Sequence, residues 1–129
     1  MSNEPVREYY SNGAIQREQY CTGDHRDDGP AHTEWHINGQ KKYEAYSING
    51  EYHREDGPAR TWWFENAQKY SEEYWVNGSF HRTDGPADIV WDEDGNITEQ
   101  TFRLNGNPAT AYDVFGDTPE AFAWVMANE

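Results

Sequence analysis

With 129 residues and a formal net charge of −14, the chain suits one modest domain and repels nucleic-acid phosphates and anionic lipid headgroups. Such charge usually marks a disordered acidic segment, but six Trp, nine Tyr and five Phe exclude that reading and point to an aromatic core. Cys21 is the only cysteine, which excludes an intrachain disulfide and a cysteine-based zinc site.

In chain order the first unit, 8–33, places Tyr9, the turn pair Asn12-Gly13, Tyr20 and Thr22-Gly23 before His25-Arg26-Asp27-Asp28-Gly29-Pro30-Ala31. The second, 34–61, repeats the order with Trp35, Asn38-Gly39, Tyr46, Ile48, Asn49-Gly50 and His53-Arg54-Glu55-Asp56-Gly57-Pro58-Ala59. The third, 62–89, carries Trp63, Asn66-Ala67, Tyr74, Val76, Asn77-Gly78 and His81-Arg82-Thr83-Asp84-Gly85-Pro86-Ala87. A partial fourth, 90–107, has Trp91, Asp94-Gly95, Phe102, Leu104 and Asn105-Gly106, and the His-Arg-x-Asp segment is missing. From the second unit onward the step is 28 residues in every column, and the atypical first and last units suit the ends of a stacked array.

Asn-Gly and Asp-Gly adopt the positive φ of tight hairpin turns with little strain, so each unit predicts two hairpin turns. Even spacing of Tyr70, Tyr74 and Val76 predicts one strand face, and the repeated Trp35, Trp63 and Trp91 predict one buried row. Gly lets the chain bend at Asp-Gly-Pro, and Pro ends the strand there. Asp117-Thr118-Pro119, followed by Ala121, Phe122, Val125 and Met126, predicts a helix over 117–128 that caps the sheet. The expected fold is therefore all-β in the main. It is a single domain, 1–129, in which an antiparallel β-meander of tandem 28-residue hairpin repeats fills 8–107 and ends in a short C-terminal α-helix.

His25, His53 and His81, each with an Asp three residues on (Asp28, Asp56, Asp84), invite a metal or acid–base reading. Equivalent residues in an array lie in a row, whereas catalysis needs unlike groups converging on one point. The expectation is structural: Arg26, Arg54 and Arg82 close the turns by charge-assisted bonds to aspartate, with His packed beside Pro or against the next unit. His32 and His36 stand four apart on one strand face and are expected to be solvent-exposed. Asp92-Glu93-Asp94-Gly95-Asn96 has its Gly one residue early for an EF-hand loop and is read as a hairpin turn. No phosphate loop, nucleophile elbow or Cys–His pairing is present, so neither a catalytic residue, a metal nor a cofactor is expected.

Charge is uneven. Eleven of the 24 acids and seven of the ten bases lie in residues 1–64, and no Lys or Arg stands between Arg82 and Arg103. Asp84, Asp88, Asp92, Glu93, Asp94 and Glu99 fall in or beside that span, either as a solvated face or as a docking surface for a basic partner.

The Tyr-x-x-Asn-Gly strands and aromatic–Gly punctuation over 8–107 resemble MORN-like repeats, especially the diverged YwqK-like type often labelled antitoxin-like. Units ending in His-Arg-x-Asp-Gly-Pro-Ala resemble those of large phages and large DNA viruses. Unit length and the His-Arg pair depart from the common MORN unit, so membrane roles are not carried over. The resemblance and the charge together imply a non-catalytic, acidic protein-binding module, an inhibitor or antitoxin-like protein acting on a basic surface. Alternatives are a DNA-mimic inhibitor of a nucleic-acid-binding enzyme and a structural, virion or self-assembling protein pairing through open sheet edges. A small hydrolase is the weakest reading. Met1–Pro5 has no secretory pattern and no apolar run spans a membrane, so the expected location is cytoplasmic, in the host if the chain is phage- or virus-encoded.

Overall fold

The computed structural model describes residues 4–20, 26, 29–116, 118, 119, 123, 124 and 126. Its strands follow from the turns. β1 (Pro5–Tyr9) and β2 (Ile15–Tyr20) flank Asn12-Gly13, and β3 (His32–Trp35) and β4 (Lys41–Ala45) flank Asn38-Gly39. A small hairpin of β5 (Ser47–Ile48) and β6 (Glu51–Tyr52) precedes β7 (Arg60–Trp63) and β8 (Lys69–Glu73). A second one, β9 (Trp75–Val76) and β10 (Ser79–Phe80), precedes β11 (Asp88–Trp91), β12 (Ile97–Leu104) and β13 (Asn107–Ala109). Nine strands form one antiparallel sheet in the order β1-β2-β3-β4-β7-β8-β11-β12-β13, and β5–β6 and β9–β10 form separate ladders.

The two kinds of turn differ in backbone. Asn49-Gly50, Asn77-Gly78 and Asn105-Gly106 each have two successive positive φ values, the primed geometry whose twist matches a two-residue hairpin. In the other column one residue is left-handed: Gly13, Gly39, Ala67 (φ 72) and Gly95. Next to each of these turns the register slips, between Glu8/Tyr9, Glu34/Trp35, Trp62/Trp63 and Val90/Trp91. The extra residues on the facing strands are Gln16, Lys42, Tyr70 and Thr98, the mark of a β-bulge.

The core departs from expectation. Among the described residues no large side chain is fully buried; Ala31, Ala59 and Ala87 are, and Ala45, Thr61 and Thr33 are nearly so. Each of those three alanines lies between two strands and bonds to both: the Ala59 N–H donates to the Glu73 carbonyl (2.9 Å), and its carbonyl accepts from the Tyr46 N–H (2.7 Å). The neighbouring backbones leave room there for a methyl group. The aromatic core is accordingly replaced by half-covered rings on a sheet with small residues inside it. Trp35, Trp63 and Trp91 do share one register position beside the bulges, but all three are half-buried.

Tyr70 and Tyr74 also do not share a face. Tyr70 is the bulge residue and packs on Trp62 (centroids 6.4 Å apart), whereas Tyr74 lies beneath Arg82, and β8 ends before it.

The short helix is α1 (Ala111–Phe115), opened by a capping box in which Thr110 and Asp113 exchange side-chain-to-backbone bonds, and closed by Gly116. The capping helix expected over 117–128 falls largely outside the described residues. Phe115 and Trp124 do meet Phe102 edge-on, at 5.9 and 4.5 Å, and so cover the buried ring at that end of the sheet.

Candidate functional site

The repeated His-Arg-x-Asp-Gly-Pro-Ala residues hold turns together. The Arg54 guanidinium lies 4.0 Å over Tyr46, donates to the Pro58 carbonyl (3.2 Å) and pairs with Asp56 (3.0 Å). Arg82 does the same with Tyr74 (3.9 Å), Pro86 (3.0 Å) and Asp84 (2.7 Å). Arg26 stacks on Tyr20 and reaches Pro30, while His25 and Asp28 lie outside the described residues. The aspartates are the outer partners: Asp56 is 87% exposed and Asp84 82%, so each pair works mainly in water.

Glycine at the turn has a different reason from the expected bend. Gly29, Gly57 and Gly85 do not have left-handed φ; a Cβ on any of them would meet the guanidinium of Arg26, Arg54 or Arg82.

His53 and His81 each tie their segment to a later turn, since their Nδ1 atoms accept the backbone N–H of Asn77 and Asn105, each at 3.0 Å. That acceptor role puts a neutral ring's proton on Nε2. His32 and His36 are half-buried rather than exposed: His32 Nε2 bonds Glu34 (2.8 Å) against Tyr43, and His36 Nε2 bonds the Trp63 carbonyl (2.9 Å). The two do not converge. Among the described residues no group of three His, Cys, Asp or Glu side chains could hold a metal ion.

The acidic residues divide into three places. Asp84 closes its turn with Arg82. Asp92, Glu93 and Asp94 occupy the β11–β12 hairpin tip, where Asp92 Oδ1 accepts the N–H groups of Asp94 and Asn96, each at 2.9 Å. These bonds, led by the one from Asn96, hold the Asp92 carboxyl below its ordinary range. Asp88 pairs across strands with Glu73, and Val90 with Glu99, so Glu73, Asp88 and Glu99 share one face. Burial, then the charges of Glu73 and Glu99, raise the Asp88 carboxyl. Asp88 and Glu99 are thus brought together; the other four lie at the two ends of β11.

That face also carries a cluster that sequence reasoning missed. Arg60 lies 4.5 Å over both Tyr52 and Trp62, donates to the Tyr43 hydroxyl (3.0 Å) and pairs with Glu73 (3.2 Å), which also accepts from the Trp75 indole (2.9 Å). Trp75 packs on Tyr52 (5.4 Å) and Phe80 (4.0 Å). Burial pushes the Tyr43 hydroxyl up to about 12, against the lowering influence of Arg60. Apart from Tyr52, whose counterpart 28 residues on is Phe80, none of this repeats: the positions 28 residues from Arg60 are His32 and Asp88, and those from Trp62 are Glu34 and Val90. The signal was available in the columns that break the period.

Beside this cluster a groove of about 440 Å³ opens over the β7–β8 hairpin, lined by Trp62, Phe64 and Tyr70, with Glu65, Glu93 and Lys42 around it. Phe64 and Tyr70 stack at 5.1 Å, and Tyr70 remains 37% exposed.

Comparison with known proteins finds no matching family model, no similar curated protein and no similar solved structure. No helix among the described residues is long and apolar enough to cross a membrane.

Proposed function

We propose that this chain is a non-catalytic, acidic protein-binding module that presents one face of its sheet to a basic surface on a partner protein. The observation that carries the reading is a division of labour. Period-28 arginines and histidines close turns and join hairpins. The residues that break the period, Tyr43, Arg60, Trp62 and Trp75, gather on a face shared with Glu73, Asp88 and Glu99. Trp, Tyr and Arg are the side chains that most often dominate binding energy, and carboxylates beside them steer a basic partner.

In this reading residues 8–107 are a tandem array of 28-residue units of the MORN-like or YwqK-like kind, and the chain is a phage- or bacteria-encoded inhibitor or antitoxin-like protein of the cytoplasm. The period of the columns and the −14 charge support it.

The test is affinity capture from a bacterial lysate at low and high salt, with identification of the captured protein and repetition using Glu99→Lys, at an exposed position of that face. A basic protein retained at low salt and reduced by this charge reversal supports the module. Capture of a nucleic-acid enzyme that duplex DNA competes away would instead favour DNA mimicry. Capture of nothing specific contradicts both.

A further inference from the structure

Resting on that reading, we infer that the groove of Trp62, Phe64 and Tyr70, edged by Glu65 and Glu93, is the seat for a single arginine side chain of the partner.

The chain's own cations supply the template. Among the described residues six of them lie over aromatic rings, at 3.9–5.9 Å, and five of the six are arginines. Arg60 is the closest analogue: its guanidinium covers Trp62 while an N–H reaches the Glu73 carboxylate. A planar guanidinium can do both at once, whereas an ammonium group is a compact, strongly hydrated point charge.

The neighbouring groove offers the same two components, rings and carboxylates, with Lys42 beside it and Arg60 already over Trp62. No described Lys or Arg lies over Phe64 or Tyr70. The bulge at Trp62/Trp63 turns Tyr70 toward Trp62, so the rings meet at 55° and form a concave wall. Glu93 comes from the next hairpin tip and Glu65 from the same one, so two carboxylates stand against the one ammonium group of Lys42 at this site. An exposed ring face beside carboxylates attracts a cation from both directions.

The site is tested with a defined probe, the tripeptide acetyl-Gly-Arg-Gly-amide, followed through the indole N–H signals of Trp62 and Trp63 by NMR. Saturable shifts are expected, weaker with the lysine tripeptide and absent with the alanine one. Tyr70→Ala should weaken binding about threefold, the loss of one exposed cation–π contact. Glu93→Gln, at an exposed tip that cannot disturb packing, should weaken it as well, and Lys42→Ala should tighten it. Equal shifts with all three tripeptides, or an affinity indifferent to both Glu93→Gln and Lys42→Ala, would overturn the proposal. A basic protein captured equally by wild type and Tyr70→Ala would overturn this seat while leaving the module intact. Tripeptide binding with no basic protein captured would leave the seat and refute the module.

Discussion

The guanidinium of Arg82 fills the space in which a side chain at Gly85 would stand: a Cβ there would lie 2.8 Å from Arg82 Cζ. Glycine and arginine at these turns are therefore one device. Gly85→Ala should lower stability by about 1–3 kcal/mol, through displacement of Arg82 from Tyr74 and from the Pro86 carbonyl. In the Arg82→Ala background the same substitution should cost much less. Denaturant midpoints for the two single variants and the double variant check this, and simple additivity would separate the two residues.

The aspartates of these turns should matter less than the arginines. Because Asp56 is almost fully exposed, Asp56→Ala should cost less than about 1 kcal/mol. Arg54→Ala removes a stacked ring contact and a carbonyl bond and should cost more. Thermal midpoints of the two variants, measured side by side, rank them.

Ala67 holds a left-handed φ of 72° where the equivalent turns have glycine. Such a conformation costs an alanine about 1–2 kcal/mol, partly offset by the extra chain entropy of glycine. Ala67→Gly should raise stability by about 0.5–1 kcal/mol in chemical denaturation.

Asp88 and Tyr43 make opposite ends of the pH profile sensitive. Both are raised, so each contributes stability that is complete below its unfolded pKa and is lost as pH rises through the folded one. For Asp88, crowded by burial, Glu73 and Glu99, that loss begins above its ordinary value of 3.8. Asp88→Asn should then raise the thermal midpoint at neutral pH more than at pH 4. For Tyr43 the loss spans the interval from 10.0 to about 12. Tyr43→Phe should flatten the fall in stability across that alkaline range.

Much of the backbone was legible because turn chemistry is local. Asn-Gly pairs announced the hairpins at Asn49, Asn77 and Asn105, where two positive φ values follow one another. Burial was not legible, because it depends on what lies across the sheet. A column of tryptophans promised a core, yet the alanines after Asp-Gly-Pro occupy the closed positions between strands. Period-two reasoning failed at Tyr70, since a bulge inserts a residue that no propensity marks. The helix of α1 was announced by Thr110 and Asp113, three apart, and was passed over for the Pro119 signal downstream. The face around Arg60 escaped notice because attention to the repeat selects residues that recur, while this cluster is made of those that do not.

The association rate of the chain with its captured partner, followed against ionic strength, tests the acidic binding face most directly. Steering acts over a Debye length of about 8 Å at physiological salt. The rate should fall steeply as salt rises, and Glu99→Lys, a reversal at an exposed position of that face, should lower it at low salt while leaving the thermal midpoint nearly unchanged. An association rate indifferent both to salt and to this charge reversal would contradict the acidic face.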